Sequence, residues 1–390
     1  MAVPIIYNIR SVKVRWVSTS VAVFGVAGVV AVFVAMLSMA QGFQATLVAS
    51  GSLQNAMIRR GGANSEMDSA LLLDQIKIAA DAPEVMRDEK KVPLVSPEVV
   101  IIISLPLRTS KDTALIQVRG VSERSLAVRD MIAIDSGRFF KPGLSELVVG
   151  SNIAKVYENF ELGGRPQFGG RQWKVVGILD GKGSAFDSEI WCDTAILQQT
   201  YKRPANIFQS ATLRLTSPAV FSEFLSSVMS DPRLTLQVER ERDYYERQSQ
   251  AVATIIRVLG VMVAVVMGIG AIFGALNTMY SSIAARSREI ATIRALGFTE
   301  GSIIFSFLCE SLFISFIGGL IGCLAIIPIN GYSTSTINWA TFSNVAFAFQ
   351  ITPQLLGEGI LFSLFMGLIG GLPPSIRAAR MPVVVALREL

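Results

Sequence analysis

The 390-residue chain has no histidine, which removes the usual general base near neutral pH and the commonest zinc ligand. Cysteine is scarce. Of three, Cys309 and Cys323 fall in one apolar run and Cys192 stands alone, so no internal disulfide framework can brace the polar part of the chain. A phosphate loop of the form G-x-x-x-x-G-K-[ST] is missing, because "DGKGS" at Asp180 to Ser184 lacks the leading glycine and reads as a turn between strands. There is no G-x-S-x-G elbow, zinc-ligand cluster or Ser/His pairing either. We therefore assign no catalytic, cofactor-binding or metal-ligating residues, expect no cofactor in this chain, and expect it not to be an enzyme.

Charge is the other absence. Trp16 to Ile58, Val258 to Ala285, Ser311 to Gly357 and Gly359 to Ile376 carry none, and the first two exceed the roughly 20 residues that cross a bilayer core. With 51% hydrophobic residues and a mean hydropathy of +0.49, the chain is expected to be an α-helical membrane protein with four transmembrane helices. They are placed at about 17–42, 251–283 (with a stalk), 301–329 and 353–373.

What lies between the first two, about 43–250, is nearly neutral and ordinary in composition, and reads as a folded α+β domain outside the membrane. The remaining basic residues flank the apolar runs: Arg10, Lys13 and Arg15; Arg286, Arg288 and Arg294; Arg377, Arg380 and Arg388. By the positive-inside rule, segments 1–16, 284–300 and 374–390 are cytoplasmic, while 43–250 and the uncharged loop 330–352 are outside. The net charge of +5 then needs no nucleic acid to explain it. A signal peptide ending at "SMA", Ser38 to Ala40, is the rival reading. Its apolar run exceeds the roughly 7–15 residues of a signal core, and cleavage would separate the C-terminal basic cluster from the 284–300 loop.

Two β-α-β patterns bracket the outer domain. In the first, "LQNAMIRR" reads as a strand, Ser65 as the cap of a helix carrying Leu71, Leu72, Ile76 and Ile78, and "VPLVSPEVVIIISLPL" as a returning strand. In the second, "SATLRLT" is a strand, Ser217-Pro218 opens the amphipathic helix "AVFSEFLSSVM", and "LTLQVE" closes the unit. Short strands and glycines fill the β-rich insertion at about 106–205, giving a split β-α-β arrangement. After Val238 nothing breaks a helical reading until Gly260, so the stalk is expected to continue into the second membrane helix. The outer-domain carboxylates are read as solvated.

Small residues recur four apart in every span: Ala27, Ala31 and Ala35; Gly270 and Gly274; Gly318 and Gly322; Gly367 and Gly371. Such spacing suggests close helix packing rather than a wide pore. Two acids, Glu310 and Glu358, interrupt membrane helices, where an ionisable group is costly. Glu310 lies about 10 Å beyond Ile303 along a helix, within reach of an arginine of the 284–300 loop. Both acids are read as structural.

In that loop, Ile290, Ile293 and Leu296 recur at helical spacing among Arg286, Arg288, Glu289 and Arg294, Gly297 reads as a stop, and Thr299 as the next N-cap. The string "SREIATIRALGFTEGSI" resembles the motif after the second membrane helix of FtsX-like permeases of ABC transporters, R-x-R-E-I-x-x-x-R-A-x-G. Arg286, Arg288, Glu289, Ile290, Arg294, Ala295 and Gly297 match it. The ending "GLPPSIRAARMPVVVALREL" is similar to that family's closing motif, with Pro374 where alanine is usual. One span, a large outer domain and three further spans is the MacB-like layout, and the β-α-β halves and insertion resemble its porter-like and β-rich subdomains.

The resemblance implies that Arg286, Arg288, Glu289, Ile290, Ile293, Arg294, Ala295, Leu296 and Gly297 form a coupling helix on a separate cytoplasmic ATPase subunit, which holds the ATP and magnesium. It also implies pairing with a second permease chain, possession of both termini on the cytoplasmic side of a bacterial inner membrane, and mechanotransmission to the outer domain. Export from the periplasm or outer leaflet, with a periplasmic adaptor protein, is the leading function implied. Lipoprotein or lipid extraction and regulation of a cell-wall hydrolase are the alternatives.

Overall fold

The computed structural model describes residues 16–108 and 112–382. Arg10, Lys13, Arg15 and Arg388 of the expected basic clusters lie outside these. The chain forms two compact units: a sheet unit, Gly42–Ala253 with Ser333–Ala348, and a helix unit made of described residues 16–41, Thr254–Tyr332 and 349–382.

In the sheet unit nine strands form one sheet. Its order is Leu236–Arg240, Asn55–Arg60, Ser210–Arg214, Val95–Pro106, Thr113–Val121, Glu189–Asp193, Glu146–Gly150, Lys174–Asp180 and Ala133–Gly137. The first four strands are all antiparallel and interleave the two β-α-β halves, so each half supplies alternate strands. The inserted strands continue this sheet, because the 12-residue strand Val95–Pro106 is long enough to serve two partners. Val95–Glu98 pairs with Ser210–Leu213, and Val99–Pro106 pairs with Thr113–Gly120. Where the first partner leaves, the Gln209 side chain accepts from Val100 N and donates to Val100 O, both at 3.1 Å, so the exposed backbone groups stay paired.

The helices Leu73–Ala80 and Phe221–Ser230 belong to the two halves. Ser65 does not cap the first. Leu71 and Leu72 form a short strand with Ile207 and Phe208, and Ser65 instead turns on itself through Asp68. The four uncharged residues before Leu73 carry too weak a helical signal to outcompete strand pairing. The loop 330–352 is also more ordered than its composition suggests: Ser333–Asn338 and Ser343–Ala348 form a hairpin in full register.

The helix unit contains the four helices long and apolar enough to cross a membrane, all or in part: Thr19–Val48, Glu241–Ala285, Glu300–Ile329 and Pro353–Ala379. The third is clamped between two neighbours. A Cβ on Gly318 or Gly322 would meet the backbone oxygens of Val23 and Ala27 at 2.9 and 2.5 Å, while one on Gly367 or Gly371 would meet Ser315 or Ser311. Ser311 Oγ also donates to Gly367 O at 2.7 Å, a cross-helix bond that close approach permits. Gly270 and Gly274 differ, since nothing lies within 4 Å of where their Cβ atoms would be. Spacing alone could not reveal which face of the second helix is turned inward.

Candidate functional site

The polar segment between the second and third long helices is a nine-residue helix, Ser287–Ala295. Arg286, at φ −112° and ψ 14°, separates it from the helix ending at Ala285. It stops in a Schellman motif: Phe298 N donates to Ile293 O at 3.4 Å and Gly297 N to Arg294 O at 3.0 Å. Gly297 reaches φ +92°, a conformation that favours glycine. Thr299 then opens the next helix with extended backbone, and Glu300 sits in its first turn, where the dipole favours an acid.

Two arginines brace this helix from opposite ends. Arg286 Nη1 lies 3.3 Å from Glu310 Oε2, its Nε lies 3.2 Å from Glu289 Oε2, and its guanidinium sits 5.5 Å over the Phe307 ring. Arg294 donates to Met381 O at 2.8 Å and to Glu300 Oε1 at 3.1 Å, joining three chain segments. Ile290 packs with Met279, Ile283, Ile303, Phe307, Ala378 and Ala379, and Ala291 beside it is also buried.

The outward surface includes Arg288, Glu289, Thr292, Ala295, Gly297 and Leu296, the last 73% exposed. Arg286 and Ile290 are buried and Ile293 and Arg294 half-buried. The nine residues expected as a contact set therefore divide: Arg286 and Ile290 support the helix, and a direct outward contact from those two is not available. Of the two intramembrane acids, Glu310 is buried against Arg286. Glu358 is half-buried and accepts a hydrogen bond from Gln354 Nε2 at 3.1 Å, one turn away on its own helix.

A second polar centre lies in the core of the sheet unit, where the carboxylates were read as solvated. Arg119 spends all five guanidinium donors on Glu66, Glu98 and Glu189, at 2.7–3.1 Å. Arg129 bridges Glu98 and Glu241 and also donates to Thr212 Oγ1. These four glutamates and two arginines are all buried. With two more acids than bases, the cluster depends on neutral donors as well: Ser210 Oγ to Glu66, Gln117 Nε2 and Trp191 Nε1 to Glu189, and Ser52 N and Asn55 Nδ2 to Glu241. Burial opposes ionisation of Glu66, but Arg119 and the hydrogen bonds outweigh it and hold the carboxyl below its ordinary range. Burial likewise acts to lower the Arg119 pKa, and Glu189 and Glu66 overcome it and raise it.

A signal for this centre existed in the sequence. Glu98, Arg119 and Glu189 are charges set inside apolar strands, "PEVVIII", "LIQVRGV" and "SEIWC", which a solvated face does not explain. Their partnership could not be read, because Arg119 and Glu189 lie 70 positions apart, and Asn55 and Glu241 of the same cluster 186. Among the described residues no group of three or more metal-ligating side chains could hold a metal ion.

The MacB-like periplasmic core domain matches residues 19–228, and the FtsX-like permease C-terminal domain matches residues 261–383. The chain belongs to the MacB-like, FtsX-like permease family. It is 25% identical over 305 residues to the uncharacterized ABC transporter permease YknZ of Bacillus subtilis, covering 73% of each chain. It is 22% identical over 338 residues to the macrolide export ATP-binding/permease protein MacB of Hahella chejuensis, covering 80% of this chain and 48% of that one. The chain thus spans about half the length of that relative, whose name includes an ATP-binding function. Among solved structures, the extracellular domain of YknZ from Gram-positive bacteria aligns with 48% of this chain and 100% of its own, at 13% identity and a TM-score of 0.36. The family places the chain in a membrane as an ABC permease.

Proposed function

We propose that this chain is the transmembrane permease subunit of an ABC exporter, coupling ATP hydrolysis by a separate cytoplasmic ATPase subunit to motion of its extracytoplasmic domain. The surface helix Ser287–Ala295 carries this reading. Its outward face combines Arg288, Glu289 and a 73% exposed Leu296, the mix of charge and apolar area that suits docking on a protein. Its inner side is tied through Arg286 and Arg294 to two other segments of the helix unit, the helix Glu300–Ile326 and the chain at Met381, so a push on it is not absorbed locally.

In this reading ATP and magnesium sit on the ATPase, a second permease chain completes the membrane assembly, and a periplasmic adaptor serves the outer domain. Both termini and the surface helix face the cytoplasm of a bacterial inner membrane. Relatives named for macrolide export and pyoverdine export favour outward movement of substrate.

The test is charge reversal, Arg288→Glu with Glu289→Arg, in the chain reconstituted with its ATPase. Permease-dependent stimulation of ATP hydrolysis is expected to disappear, with membrane insertion retained. Undiminished stimulation would remove the assignment of this helix.

A further inference from the structure

Beside the buried charge cluster is a small cavity with room for about one water molecule. Its lining, all within the sheet unit, includes Glu66, Glu189, Arg119, Tyr245, Gln248 and Asn338. Among the described residues, Tyr245 Oη and Gln248 Nε2 find no hydrogen-bond partner in the protein, although both side chains are more than nine-tenths buried. An unsatisfied buried polar atom is costly. Two at one cavity point to a guest.

The donors identify its chemistry. Ala340 N donates to Asn338 Oδ1 at 3.1 Å, which turns the Asn338 amide nitrogen toward Gln248, and Asn338 Nδ2 donates to Gln248 Oε1 at 3.2 Å. The Gln248 amide is thereby oriented, and its Nε2 is the group left over. A cation would face that N–H donor. An anion would face Glu66 and Glu189 while Arg119 has no donor left to offer. A guest that both accepts and donates satisfies the two walls together.

We infer that the cavity holds a single ordered water molecule, accepting from Gln248 Nε2 and sharing a hydrogen bond with Tyr245 Oη. This water joins the first turns of the helix Glu241–Ala285, through Tyr245 and Gln248, to the sheet's charge cluster. Asn338 extends the same network to the hairpin Ser333–Ala348.

The experiment is a double-mutant cycle on the full chain in detergent, using Tyr245→Phe, Gln248→Met and their combination, with unfolding followed by tryptophan fluorescence. Trp173 and Trp191, both buried in this unit, report on it. Each single variant is expected to lower the midpoint by about 2–4 °C. The double variant should lower it by clearly less than the sum, since both side chains bind one guest. The Gln248–Asn338 bond is lost in both legs of the cycle and cancels. A Tyr245→Phe midpoint that is unchanged or raised overturns the inference, because an unsatisfied hydroxyl is better removed. Additive losses overturn it too. So does a wild-type midpoint that rises with sodium or potassium over choline at equal ionic strength and loses that response in Tyr245→Phe, which would assign the cavity to a cation.

Discussion

Two sets of buried acids, one in each unit, are held differently. In the sheet unit Glu66, Glu98, Glu189 and Glu241 share Arg119 and Arg129 and take further bonds from neutral donors. In the helix unit Glu310 faces Arg286, which also reaches Glu289 on the exposed side of the surface helix. The contrast follows from the two backbones. Adjacent strands bring Glu98, Arg119 and Glu189 together, and the irregular segment after Asn55–Arg60 adds Glu66, so one guanidinium meets three carboxylates. Between the packed helices Glu310 meets Arg286, which comes from the segment joining two of them. The first arrangement joins strands within a core; the second ties a surface element to a membrane-length helix.

The comparison is broken most severely by removing the hub of the first cluster. Arg119→Met leaves three buried carboxylates without their common partner and is expected to cost about 3–5 kcal/mol, read as a lower unfolding midpoint or loss of protease resistance in the sheet unit. A loss below about 1 kcal/mol would show the cluster to be dispensable.

Next is helix approach. Gly322→Leu places atoms against the Ala27 carbonyl and is expected to cost about 1–3 kcal/mol, whereas Gly274→Leu enters open space and should leave the isolated chain's midpoint unchanged. Equal effects would contradict the facing of the second helix.

Glu310→Gln is expected to cost about 1–3 kcal/mol and to loosen the surface helix, seen as faster amide exchange at Ile290 and Ala291. Glu358→Gln should stay within about 0.5 kcal/mol. A reversal of that order would shift attention to Glu358.

The smallest effect is on acid stability. The folded pKa of Glu66 lies below its ordinary value of 4.5 because Arg119 and hydrogen bonds outweigh burial. Its ionisation therefore adds stability that is complete above that ordinary value and is lost as pH falls through the folded pKa. An acid titration should show the sheet unit weakening below about pH 4.5, and less so in Glu66→Gln.

Much of this organisation was legible in the sequence for a simple reason: a membrane is a second solvent, and long uncharged runs with basic flanks are a one-dimensional record of it. The surface helix was legible too, since Gly297 and Thr299 mark its ends by local backbone chemistry. The hairpin Ser333–Ala348 was not, because "STSTIN" and "SNVAFA" lack strong turn or strand signals and gain their order by pairing with each other. The inward side of the second helix was also hidden, as Gly270 and Gly318 sit in similar strings yet face open space and a carbonyl respectively.

By itself, then, the sequence determined the four membrane-length helices, the polar helix between two of them and the two β-α-β halves, all set by local composition and periodicity. Only the tertiary structure decided that Val95–Pro106 would carry both halves of one sheet, that Glu66, Glu98, Glu189 and Glu241 would lie together around two arginines, and that Arg286 would turn inward to Glu310. Each of these depends on register and packing between segments far apart in the chain, and a charge becomes buried or solvated only when those contacts form.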